Sequence, residues 1–376
     1  MIDQTKLISD FCELVKITCS TGKERQVVDV VKGKLTALGL EVGEDNVADK
    51  IKGNAGNVFG YLSGTVTGAP VIMLSAHLDS VAPCAGINPQ IADGVIKSDG
   101  TTILGADDKA GVAGILEALR IVKEQGLPHG DIQVVFTVAE EGGLNGSKYI
   151  DTSRLKADFG YALDSGGEPG RIINSAPGQD SIKATIHGKS AHAGIAPEEG
   201  INAIVVAAQA LTKMTQGRID HETTANVGII KGGQATNIVP DKVVVECEAR
   251  SRDLDKLAAQ SKHMADAFNQ AAESAGAKAD VDITSIYSPF VLADNTQVIS
   301  VASAAAKNIG LTPILEATGG GSDANFFNAY GVPTAVLGVG MSKVHTCEEF
   351  ITVADLCNTA ELVLAIIGEA AKTQKA

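Results

Sequence analysis

The sequence contains no tryptophan, and aromatic residues make up only 4% of its 376 residues. That scarcity argues against stacking platforms for bases or sugar rings. Basic residues are outnumbered, 31 Lys and Arg against 45 Asp and Glu, for a formal net charge of -14. A surface this acidic argues against nucleic acid as a partner and against a polybasic membrane-surface protein. The six cysteines (Cys12, Cys19, Cys84, Cys247, Cys347 and Cys357) are widely spaced and form no CxxC pair. Scattered thiols in a long chain read as reduced, and the expected compartment is the cytoplasm. The N-terminal MIDQTKLISDF has neither a basic n-region nor an apolar h-region. No apolar run approaches the ~18 residues of a membrane span.

What is present is ordinary globular composition, 44% hydrophobic and 20% charged. At ~100–200 residues per domain the length predicts two domains, or three. Apolar runs at 71–76, 132–139 and 159–163 read as buried strands. They alternate with helical stripes at 4–17, 27–38 and 107–123. This pattern predicts an α/β domain, a mainly parallel sheet with helices on both faces. After residue 180 the order becomes β-α-β-β-α-β, the split arrangement of a ferredoxin-like layer. The α/β pattern resumes near Val291. The expected organisation is a discontinuous domain, 1–178 and 291–376, with an inserted ferredoxin-like α+β domain at 179–290.

Acids and histidines gather where such a sheet presents its ligand site, outside the carboxyl ends of its strands. VIMLSAHLDS puts His77 and Asp79 at one strand end, and VVFTVAEEGG puts Glu140 and Glu141 at another. YALDSGG adds Asp164, and ILGADDKAG puts Asp107 and Asp108 at the mouth of a helix. Each alone has a bland explanation as a cap, a solvated turn or a satisfied core histidine. Together they would bury several carboxylates at one rim, which is prohibitive unless cations neutralise them. A two-metal site with a bridging carboxylate resolves this.

Other features carry less. Thr21-Gly-Lys-Glu24 reads as a helix capping box. His129, His221 and His263 read as surface residues, His187 as structural, and Cys347 as a small core residue. Gly142–Gly146 follows a strand, as a phosphate cradle would, but lacks the GxGxxG spacing. With Asp164 as a ribose acid it offers a dinucleotide-binding oxidoreductase as a distant alternative, which leaves His77, Asp107 and His345 without a role.

The motifs HLD, GADDKAG, EEGG, DSGG and VHTCEE, in this order, resemble the M20 di-zinc metallopeptidases. GADDKAG, GKSAHAGIAPEEGINA, EARSRD and TGGGSDAN resemble the peptidase T branch in particular. The resemblance covers nearly the whole chain. It implies a zinc-exopeptidase-like catalytic domain with the inserted domain as a lid. It implies two zinc ions, replaceable by cobalt or manganese. His77 and Asp164 would bind one, Glu141 and His345 the other, and Asp107 would bridge them, followed by a cis peptide to Asp108. Asp79 would hold the His77 ring, and Glu140 would be the general base. His192 would stabilise the oxyanion, and Asn237 and Arg250 would hold the substrate's terminal carboxylate.

The activity implied is release of the N-terminal residue of tripeptides by a cytoplasmic enzyme, homodimeric through the lid. An N-acyl amino acid deacylase would use the same metal machinery. A catalytically dead scaffold is disfavoured by the intact Glu140.

Overall fold

The computed structural model describes residues 2–375. The chain divides into two compact units. The larger runs to Ser175, then takes in Leu292–Ala317 and everything from Ser322 onward. The smaller comprises Ala176–Val291 with Thr318–Gly321. That four-residue glycine-rich piece departs from the division at 290/291 expected from sequence. Its reason is close approach: a Cβ on Gly321 would lie 2.4 Å from the Tyr287 ring, so only glycine fits there.

In the larger unit the main sheet runs Glu41–Glu44, Val58–Leu62, Ile132–Thr137, Ile72–His77, Phe159–Ser165, Thr334–Gly338, Arg171–Ala176. Ile314–Ala317 adds beside Arg171–Ala176. The centre is parallel: Ile72–His77 pairs in parallel with both Ile132–Thr137 and Phe159–Ser165, and Phe159–Ser165 with Thr334–Gly338. The pairings of Val58–Leu62 and of Arg171–Ala176 with Thr334–Gly338 are antiparallel, so the sheet is mixed. Every residue of Ile72–His77 and Ile132–Thr137 is buried, which is why these strands lack alternation.

Helix Ala106–Gln125 packs on Ile72–His77, Val353–Ala370 and Gln4–Val15. It also packs on Phe159–Ser165, and Gly111 permits this, since a Cβ there would lie 2.7 Å from the Leu163 carbonyl oxygen. Helix Asp323–Ala329 contributes Phe327 to a cluster with Phe59, Met73 and Val135. A small separate sheet, Phe350–Thr352, Val95–Lys97, Gln90–Ala92, was not foreseen.

The smaller unit is an antiparallel sheet in the order Gly217–Arg218, Thr223–Gly232, Lys242–Ser251, Gly178–His187, Lys278–Tyr287. Helices Ala203–Lys213 and Leu254–Ser274 complete the β-α-β-β-α-β order. Their Val206, Ala210, Met264 and Phe268 form one core with Ile182, Ala184, Val243 and Val245 of the strands. Gly178–His187 alternates buried and less buried positions, the signature of a sheet with one covered face.

Candidate metal centre

His77 is the last residue of a buried strand and is 2% exposed. Its Nδ1 lies 3.1 Å from the Asp79 carbonyl oxygen and 3.5 Å from Asp79 Oδ1. Its Nε2 lies 3.0 Å from Asp107 Oδ1 and 3.8 Å from Asp164 Oδ1. On the far side of Asp107, His345 Nε2 lies 3.2 Å from Oδ2 and 2.9 Å from Glu141 Oε1. Two groups result, His77–Asp107–Asp164 and Asp107–Glu141–His345, each with ligand atoms within 4.8 Å of one another. Asp107 belongs to both. The Asp107–Asp108 peptide is cis.

Asp79 does more than face His77. Its Oδ1 accepts from the Glu140 N–H (2.9 Å), and its Oδ2 accepts from the Glu141 N–H (3.2 Å) and the Thr21 hydroxyl (2.7 Å). It thus ties the strand end bearing His77 to the turn bearing both glutamates. The capping box expected at Thr21–Glu24 is corrected here. Thr21 spends its hydroxyl on Asp79, and Glu24 Oε1 accepts from the Gly22 and Ala139 N–H groups. The helix Arg25–Leu38 has no side-chain cap at its start.

The electrostatics are those of too many acids for the cations present. Burial, reinforced by the Asp164 charge, pushes Glu140 well above the usual carboxylate range, and burial does the same to Asp164 and Asp108. Burial also opposes ionisation of Asp107, but the His345 and His77 imidazoles overcome it and hold that carboxyl low. Burial works against protonating His77, yet Asp107 and Asp79 raise its affinity for a proton well above normal. Asp107, against the opposing effect of burial, lifts His345 to about 9, helped by Glu141. Imidazole nitrogens and carboxylate oxygens at this spacing are a donor set that divalent ions fit, and ions would relieve the burial of the acids.

The other site residues expected from sequence lie in the smaller unit. His192 and Asn237 are exposed. Their backbones adjoin, His192 bridging Ile238 and the Ala193 N–H donating to the Asn237 carbonyl at 3.0 Å. Arg250 pairs with Glu248 through Nε (3.1 Å) and Nη2 (3.0 Å). Two further expectations fail. His129 is 6% exposed rather than on the surface, its Nδ1 2.8 Å from the Gly130 carbonyl oxygen. Cys347 is exposed, not a core residue: it lies outside any strand or helix, in the loop between Ser342 and Phe350.

Residues that sequence reasoning passed over surround the centre. Asp323 is buried and accepts from Thr137 Oγ1 and Ser147 Oγ. Lys109, 1% exposed, donates to Ser80 Oγ at 2.9 Å and to the Asp79 carbonyl at 3.3 Å. Glu349 is buried against the turn before Asp107. Each sits inside a quoted motif, which was the available signal; their burial was not readable from it.

Residues 73–369 match the sequence model described as Peptidase family M20/M25/M40. The uncharacterized protein YqjE of Bacillus subtilis (strain 168) is 45% identical over 372 residues, 99% of this chain and 100% of that protein. The crystal structure of aminopeptidase PepT from Bacillus cereus is similar with a TM-score of 0.94 and 48% identity, covering 98% of this chain and 99% of that one. A tripeptidase structure from Staphylococcus aureus gives 0.97 and 44%, covering 99% and 100%. With most of its length inside that match, and relatives of this identity along both chains, the protein belongs to peptidase family M20/M25/M40 and is peptidase T-like within it.

Proposed function

We propose that this chain is a metal-dependent exopeptidase that releases the N-terminal residue of short peptides, tripeptides above all. The observation that carries the proposal is Asp107 shared by two ligand groups, with the Glu140 carboxyl nearby and in neither. The names of the similar structures, an aminopeptidase and a tripeptidase, support it.

In this reading His77, Asp107 and Asp164 hold one ion, and Asp107, Glu141 and His345 hold another. Zinc is the proposed ion. Such ions supply Lewis acidity, polarising the scissile carbonyl and making water easier to deprotonate. Glu140 is the general base. Its burial raises its proton affinity, which suits a carboxylate that takes a proton from the attacking water and passes it to the leaving amine. Asp79 keeps the His77 ring oriented and holds Glu140 by its backbone N–H. His192 donates to the carbonyl oxygen as charge develops on it, and Arg250 with Asn237 binds the peptide's terminal carboxylate. A cytoplasmic homodimer assembled through the smaller unit completes the proposal.

The test is a substrate panel on protein reconstituted with Zn, Co or Mn. A tripeptide with free termini is cleaved at its first bond, and N-acetylation lowers kcat/KM at least tenfold, about 1.4 kcal/mol. A preference for N-acetyl amino acids over free peptides would make the enzyme a deacylase instead.

A further inference from the structure

We infer that Glu349 is a positioning residue that locks the His345 loop to the Asp107 turn and so sets the affinity of the ion held by Asp107, Glu141 and His345. The inference rests on the metal reading above.

Glu349 is 1% exposed. Its Oε2 accepts from the Leu104 and Gly105 N–H groups, both at 2.8 Å, and its Oε1 from the Asp107 N–H at 3.0 Å. These donors lie at the start of helix Ala106–Gln125, whose N-cap, Gly105, provides no side-chain cap. The first N–H groups of a helix have no partner within it. Here the partner comes from more than 240 residues further along the chain. Bonds from N–H groups to a carboxylate are charge-assisted and stronger than neutral ones.

Both segments joined in this way are irregular and both carry a ligand. Asp107 departs from helical geometry with φ -78° and ψ 102°. His345, four residues before Glu349, has φ 64°, and Lys343 has φ 53°. Non-glycine residues seldom adopt this left-handed region, so the surroundings must hold them there. The loop is closed at its base by paired backbone bonds between Ser342 and Phe350, and the Glu349 N–H donates to the Thr346 carbonyl. The Glu349 side chain then fastens the closed loop to the turn.

The two ligand groups depend on this fastening unequally. His77 and Asp164 stand on strands of the main sheet, independent of Glu349. Asp107 and His345 are both placed by it. Loss of the Glu349 carboxylate should therefore loosen one ion more than the other.

The experiment titrates metal-free protein with Zn2+ against a competing chelator and reads stoichiometry and stepwise Kd, beside the melting temperature without metal. The step lost in His345→Ala identifies the ion in question. Glu349→Gln keeps the length, and Glu349→Asp keeps the charge at a shorter reach. We expect Kd for that ion to rise ~10–100-fold, as loss of a group that orients ligands does. The other ion's Kd should change no more than a few-fold. Equal weakening of both ions, no weakening in a folded variant, or failure of both variants to fold would overturn the inference and leave Glu349 a purely structural or idle acid. A wild-type chain that binds no pair of ions would instead overturn the metal reading.

Discussion

In the larger unit His77, Asp79 and Asp107 are at most 7% exposed, and Asp79 alone accepts three hydrogen bonds from three different residues. In the smaller unit His192 and Asn237 are exposed; backbone bonds join their turns, and the His192 Nδ1 accepts locally from the Gly194 N–H at 3.2 Å. Arg250 lies between these extremes, half-buried on a strand and engaged by Glu248. The difference teaches how the work is divided. In the proposed reading, the groups that would share ions or move protons are held by buried tertiary bonds, so their geometry is set before substrate arrives. The groups proposed to meet the peptide, His192 and Asn237, sit on surface turns, where adjustment is easier.

The largest break in this comparison is Glu140→Gln. It should lower kcat by at least ~10²–10⁴-fold while both metals stay bound. Near wild-type turnover with full metal content would remove Glu140 from the role of base. Next, Asp79→Ala removes the tie between the His77 strand and the glutamate turn. Metal affinity or activity should fall ~10–100-fold, measured by chelator competition and steady-state kinetics. Unchanged values for both would show that the buried bonds are not what orients the centre. The smallest effect belongs to the smaller unit. Amidating a tripeptide's C-terminus should cost about tenfold in kcat/KM in the wild type, and little in Arg250→Ala, because both changes remove one contact. An amidation cost that persists in Arg250→Ala would place the carboxylate elsewhere.

The strands that position the centre were readable because a fully buried strand is a continuous apolar run, as in Ile72–His77 and Ile132–Thr137. Arg171–Ala176 was not, because Arg171, Asn174 and Ser175 interrupt its apolar pattern, nor was the hairpin Gln90–Lys97, whose two strands are three residues each and largely exposed. The approach of His77, Glu141 and Asp164 was foreseeable from where strands end and that of Asp107 from a helix mouth, while His345 was expected only from the resemblance carried by VHTCEE. The reading of Thr21 and Glu24 failed for the opposite reason. A capping pattern is local, while Thr21 reaches 58 residues along the chain to Asp79. Likewise VHTCEE does not say which of Glu348 and Glu349 faces inward; only the fold buries Glu349 and leaves Glu348 paired with Lys343 at the surface.

The discontinuity of the larger unit has a consequence for the chain as it is being made. Strand Phe159–Ser165 pairs on one side with Ile72–His77 and on the other with Thr334–Gly338. Between them the ribosome must add the whole of Ala176–Val291. At ~5–20 residues per second that takes on the order of ten seconds. Through this interval the strand bearing Phe159, Tyr161 and Leu163 has one open edge, the kind of edge that invites pairing with a neighbouring nascent chain. The smaller unit, its Thr318–Gly321 piece included, is made before the strand Thr334–Gly338 that closes that edge. His345 emerges later still, so a half-made chain has Asp107 and Glu141 without the imidazole that joins them. Its centre stays incomplete until His345 has been made, after both of the smaller unit's segments.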